Sequence, residues 1–250
     1  MKSAYNTIET EIETKNKLKE LKKEQERIEN EKFNIEFWRK IKTQRINEVN
    51  EVLLKQPDSK LDLSNLKLTD EELESLILNN RNINFNKIIE LNLSGNIITD
   101  ISGIGIFKNL KILSLRSNVR LKDINVLKNL NKLEDLDMQN ISNTVDLSVF
   151  KYLTNLKTLN INCESSLEDI KNLTELYIAW TEVKDISFIP SLKKLNRLVF
   201  NQIRGLPFEQ LNYINKSKSL KWFTWGGISF GNQDTLKGVI KKSITVYTGH

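Results

Sequence analysis

Pairs of apolar residues separated by one position return along this chain at a nearly constant interval, and that recurrence restricts the fold more than any other property of the sequence. The pairs are Leu91 and Leu93, Leu113 and Leu115, Leu136 and Met138, Leu159 and Ile161, Leu176 and Ile178, and Leu198 and Phe200; their first members lie 22, 23, 23, 17 and 22 residues apart. A second apolar anchor, preceded by Asp, follows each of the first five pairs: "TDI" to Ile101, "KDI" to Ile124, "VDL" to Leu147, "EDI" to Ile170 and "KDI" to Ile186. A unit this short cannot bury its own apolar side, so it must stack on copies of itself.

"ELNLSGNIITDI" at 90 to 101 and "LKILSLRSNVRLKDI" at 110 to 124 are close to L-x-x-L-x-L-x-x-N-x-I-x-D-I. On these motifs the chain resembles the bacterial internalin-type and phosphatase-regulator-type leucine-rich repeats over residues 58 to 250. The resemblance implies an α/β leucine-rich repeat solenoid: a curved parallel sheet of about nine strands, starting near Leu61, Leu91, Leu113, Leu136, Leu159, Leu176, Leu198, Phe223 and Ile244, with an N-terminal helical segment and cap. The interval from Leu61 to Leu91 is long enough for a true helix in "TDEELESLILNN", with Thr69 as N-cap and Glu72 closing a capping box. The interval from Leu159 to Leu176 is short, so its back segment is expected to be reduced.

Alternation in a strand sends Leu91 and Leu93 inward and leaves Glu90, Asn92 and Ser94 outside. The following turn carries backbone polar groups inward, and Asn96 and Asn118 can both donate to and accept from them. Ile141, Glu164, Thr181 and Ile203 occupy that offset in the later units, so the asparagine ladder is incomplete. Asp100, Asp123, Asp146, Asp169 and Asp185 could be taken for a metal row, but their regular phase fits turn or helix capping instead. Cys163 lacks activating neighbours in "NINCESS", and a structural place at the strand-to-turn bend fits it better than a catalytic thiolate.

Two regions follow: residues 1–56, a charged helix and capping helix, and residues 57–250, the repeat domain. The first has no glycine before "QPDS"; Leu18, Leu21, Gln25, Ile28, Lys32 and Ile35 form a weak heptad seam, and Phe37 and Trp38 are the expected anchors of a cap on the first coil. A monomer is favoured, with a coiled-coil dimer as the alternative. With 38 Lys and Arg against 32 Asp and Glu the net charge is +6. Charges of both signs are interspersed along the chain, and although "RKIKTQR" at 39 to 45 is basic, nucleic acid is not an expected partner. The only histidine is His250 and the only cysteine Cys163, which disfavours His-dependent catalysis and zinc; no enzyme activity, cofactor or metal is expected. No apolar run approaches the roughly 20 residues of a membrane span, and the first residues lack a secretory pattern. A cytoplasmic location, or delivery into a host cell without a signal peptide, is the expectation, and abundant Lys, Asn and Ile suggest an AT-rich bacterial genome.

The outward strand positions define the candidate binding surface. Asp135, Asp137, Asn160 and Arg116 give it a polar, partly acidic middle. Tyr177, Trp180, Val199, Trp222, Thr224 and Tyr247 form an aromatic patch toward the C-terminal end, unless Trp180 and Trp222 turn inward to fill space. Exposed aromatics give large contact area at small entropic cost. The expected role is a non-enzymatic module that binds a protein partner on the concave sheet, chiefly through this patch. The alternative is a helical oligomerisation scaffold or bacterial effector contacting a host protein or a polyanion through the N-terminal helix.

Overall fold

The computed structural model describes residues 2–54, 59–80, 84–142, 145–162, 167–226, 236 and 238–248, with side chains from Lys17 onward except those of 38, 42, 50, 52–54 and 248. Two compact units divide the chain, Met1–Glu48 and Val49–His250.

The first unit is helical. Helix α1 runs from Lys2 to Leu54 without interruption, as a stretch free of Gly and Pro allows. Arg27 pairs with Glu24 at 2.9 Å one turn away, and the Phe33 and Phe37 rings stack with centroids 6.3 Å apart. Leu18, Leu21, Ile28, Phe33, Ile35 and Ile41 are all exposed. Phe37, one of the two expected cap anchors, is 46% exposed and stacks on Phe33 within this unit. The expected partner anchor, Trp38, has its side chain outside the described residues. Val49, which belongs to the second unit, enters the core there.

The second unit is a nine-stranded sheet in sequence order, every neighbour parallel. The strands are β1 (Lys60–Asp62), β2 (Glu90–Asn92), β3 (Ile112–Ser114), β4 (Asp135–Met138), β5 (Thr158–Ile161), β6 (Glu175–Ala179), β7 (Arg197–Asn201), β8 (Trp222–Gly226) and β9 (Thr245–Thr248). Leu61, Leu91, Leu113, Leu136, Leu159, Leu176, Leu198 and Phe223 stand in one register row. All are buried in a single continuous core, and each side chain of this kind contributes about 1.5–3 kcal/mol on burial. The row ends on Val246, not Ile244. Both residues point inward, so parity alone cannot choose between them; Ile244 is buried in the turn before β9, where its N–H donates to Lys241 O at 3.0 Å.

The return segments are short, as the period requires. Only the long first interval holds a full helix, α2 (Asp70–Asn79), whose Thr69–Glu72 capping box is formed. Single-turn 3-10 helices fill 102–106, 125–129, 147–152 and 189–191, and α3 (Leu211–Lys216) backs β7 and β8. In the short interval, Leu167, Ile170 and Leu173 keep the core filled, the described residues 167–174 forming turns without a helix, while Leu159 and Leu176 remain paired.

Three polar devices hold the corners. Asn96 Nδ2 donates to Leu63 O and Leu93 O at 2.9 and 2.8 Å, and its Oδ1 accepts from Leu68 N at 2.9 Å. Asn118 repeats the two donations, to Leu93 O and Leu115 O, but its buried Oδ1 finds no partner. Ile141 and Ile203, at the same offset, are buried instead. On leaving the turn, Asp100, Asp123, Asp146 and Asp185 each accept from the backbone N–H two residues on, at 2.7–2.8 Å. Asp169 makes no such bond among the described residues, its coil having no 3-10 turn to cap.

The third device lies on the opposite corner, just before each strand. Asn109 Nδ2 donates to Asn86 O, Lys132 Nζ to Asn109 Oδ1, Asn155 Nδ2 to Asn131 O, and Lys194 Nζ to Asn172 Oδ1. Backbone bonds run beside it, Lys111 N to Ile89 O, Glu134 N to Lys111 O, Lys157 N to Glu134 O, Thr174 N to Lys157 O, Asn196 N to Thr174 O and Lys221 N to Asn196 O. The strand-entry edge is therefore one continuous row.

Candidate functional site

The sheet face turned away from the core carries two register rows that contain nearly every residue singled out above. One runs Asp135, Thr158, Glu175, Arg197, Trp222, Thr245; the other runs Asp137, Asn160, Tyr177, Val199, Thr224, Tyr247. Tyr247 thus stands beside Thr224, and Thr245 beside Trp222, a shift of one pleat repeat from the expected pairing.

A groove of about 470 Å³ opens on this face over β6 to β9. Trp222, Thr224 and Tyr247 line it, together with Thr174, Glu175, Asn196 and Arg197. Trp222 is 40% and Tyr247 52% exposed, so the strands hold these rings toward solvent. Their inward neighbours supply the reason: Phe200, Phe223 and Trp225 already fill the core there, Phe200 meeting Phe223 and Trp225 edge-to-face with ring centroids 5.6 and 6.0 Å apart. Asn196 adds a buried amide oxygen without a hydrogen-bond partner at the groove margin.

Beside the groove, Glu175, Tyr177 and Arg197 form a linked set. The Tyr177 hydroxyl donates to Glu175 at 2.5 Å, and the Arg197 guanidinium lies 5.7 Å from the centre of the Tyr177 ring. Burial pushes the Tyr177 phenol up to about 12, with the hydrogen bond to Glu175 and its charge acting in the same direction and Arg197 opposing. Farther along, burial raises the Asp135 carboxyl, as do the charges of Asp137 and Glu175. Burial also raises Asp137, against the N–H of Gln139 and the charge of Arg116. Arg116 donates to Gln139 Oε1 at 2.6 Å and stands 3.9 Å from Asp137. Asp135, Asp137, Asn160 and Arg116 do not line the groove; Tyr177 and Val199 flank it.

Trp180 is a different case. It lies past the end of β6, 66% exposed, with φ +57°. The same corner is left-handed in other coils, at Asn65 (φ 58°), Gly95 (φ 68°), Ser117 (φ 60°), Asn140 (φ 57°) and Gln202 (φ 54°). Cys163, at the corresponding place, lies outside the described residues. Asn and Gly tolerate this conformation; a bulky side chain there is costly. At Gly95 an added Cβ would also meet Asn65 Oδ1 at 2.3 Å.

Sequence reading missed Thr174, Glu175, Asn196 and Arg197 as groove residues. Glu175 and Arg197 were visible as outward positions; Thr174 and Asn196 precede the strands, where alternation carries no information. Among the described residues no group of His, Cys, Asp and Glu is placed to hold a metal ion, and no helix is long and apolar enough to cross a membrane.

No family model matches the chain, and no curated protein matches it. Among solved structures it is similar to internalin C2 of Listeria monocytogenes, at 23% identity over 70% of this chain and 91% of that one with a TM-score of 0.49. It is similar to internalin F of the same organism at 20% identity, over 81% of this chain and 62% of that one, TM-score 0.48. A leucine-rich repeat protein of Leptospira interrogans is 23% identical over 71% of this chain and 50% of its own, TM-score 0.47. The assignment rests on the chain's own geometry: nine parallel strands in sequence order, one per repeat, with leucines in register and asparagine at the turn, make the second unit a leucine-rich repeat solenoid.

Proposed function

We propose that the protein is a non-enzymatic interaction module that binds a protein partner on the open sheet face, through the groove between Trp222 and Tyr247 and the flanking Tyr177. Repeat solenoids present extended surfaces of this kind, although a fold by itself names no function. The observation that carries the reading is the coincidence of the groove with exposed aromatic side chains on a rigid sheet. Such rings lose little rotamer entropy on binding and supply most of the contact energy at interfaces. Trp180, held exposed in a costly backbone conformation, extends the same surface past the end of β6. Asp135, Asp137, Arg116 and Asn160 form its polar margin.

Affinity purification with the wild-type chain and with a Tyr177→Ala/Trp222→Ala variant tests this. A partner recovered by the first and lost by the second is the expected result. Equal recovery, with both proteins folded, removes the groove from the interaction.

A second reading is favoured by one observation: Leu18, Leu21, Ile28 and Ile35 are all exposed along α1, which suits helix-mediated self-association. Sedimentation of the full chain against one starting at residue 31 separates the two readings. A dimer that becomes a monomer on truncation supports association through α1.

A further inference from the structure

Charges that alternate along the sequence separate in space once the coils stack. The five residues before each of β2 to β9 contain twelve lysines and a single carboxylate, Glu134. Glu134 is shared by Lys111 at 3.0 Å and Lys157 at 2.5 Å. Lys108, Lys171, Lys218, Lys221 and Lys242 are exposed and have no carboxylate partner among the described residues. The opposite corner, after the strands, carries Asp70, Asp100, Asp123, Asp146, Asp169 and Asp185, with Asp100 and Asp123 joined by a backbone bridge. One edge of the solenoid is thus cationic, whereas the other mixes these carboxylates with Lys67, Arg120, Lys122, Lys184 and Arg204.

The cationic edge is rigid, because the continuous backbone row and the Asn–Lys ladder fix the coils to one another. With strands about 4.8 Å apart, eight coils span roughly 34 Å. Twelve lysines over that length give about one positive charge per 3 Å, comparable to the ~3.4 Å of helix axis per phosphate on one strand of duplex DNA. Lysine ammonium groups are point charges without the planar fork that reads base edges. A line of them matches a polyanionic backbone and is indifferent to sequence.

We infer that the strand-entry edge binds the phosphate backbone of duplex nucleic acid without sequence preference, through the row that includes Lys108, Lys171, Lys218 and Lys221. The lysines of this edge do not line the groove on the open face, although Thr174 and Asn196 of the same strand-entry row do, and the inference holds whether or not that groove binds a protein. A line of charge one corner wide suits a polymer; a bilayer would be better served by a broad basic plane with apolar groups to insert.

The test uses the full chain and a fluorescently labelled DNA duplex of random sequence, followed by anisotropy at low and moderate salt. The expected result is binding that weakens by about tenfold or more between about 50 and 200 mM salt. A Lys108→Glu/Lys171→Glu/Lys218→Glu variant should lose roughly tenfold or more in affinity. An Arg120→Glu/Lys122→Glu/Arg204→Glu variant, with the same net charge but altered away from the edge, should lose less than about threefold. Circular dichroism checks each fold, and a Lys→Gln version of the edge variant serves if the Glu version does not fold. No binding at low salt overturns the inference. So does equal loss in both variants, which reduces the effect to net charge, and so does retention on phosphatidylserine vesicles with no binding to the duplex.

Discussion

At the scale of single residues, function and stability pull in different directions at Trp180. A left-handed backbone costs a bulky L-residue about 1–2 kcal/mol, and the exposed ring recovers little of that by packing. Trp180→Asn should therefore raise stability by about 1 kcal/mol in urea unfolding while weakening partner capture; a loss of stability would place the ring in a structural role. The two ladder asparagines differ as their bonds do. Asn96→Ala takes the amide from Leu63 O and Leu68 N, while Leu93 O keeps its bond from Asn118, and should cost about 3 kcal/mol, whereas Asn118→Ala, which also removes an orphaned acceptor, should cost about 1 kcal/mol less. Tyr177 gives a pH signature. Its phenol is raised from the ordinary value near 10 to about 12, so the folded state holds the proton more tightly than the unfolded state. The stability this provides is complete below pH 10 and is lost as pH rises through about 12. Phenolate absorbance should show one late-titrating tyrosine, and Glu175→Gln should move it toward the ordinary value.

At the scale of elements, the Asp-anchor motif separates into working and idle copies. Asp185 caps its turn through Ser187, accepting from both N–H and hydroxyl at 2.7 and 3.0 Å; Asp169 has no 3-10 turn to cap. Asp185→Ala should cost about 1 kcal/mol and Asp169→Ala less than about 0.5, measured by thermal unfolding. The anchor triplets "EDI" and "KDI" give the same local pattern; what differs is the segment that follows, Ser187 after Asp185 and Lys171 in the shortened return after Asp169. The same limit explains β9. Ile244 and Val246 have equal parity, so the inward face was legible while the pairing partner was not.

At the scale of the whole molecule, the period was the legible quantity. Leucines at a 22-residue interval dictate a parallel stack, which in turn fixes the outward rows and so most of the candidate site, from Asp135 to Tyr247. What the period hid was the distribution of charge. Lys108 and Asp123 are close in sequence yet fall at different phases of the coil, and stacking turns a phase difference into a lysine edge set apart from a corner of mixed charge. The short fifth coil bears on how such a molecule can change. Leu159 and Leu176 hold the same register as their longer neighbours, so the length of a return segment and the alignment of the sheet vary independently. The back of this coil is accordingly where evolution can delete residues, or an engineer insert a reporter, without displacing a side chain on either the open face or the lysine edge.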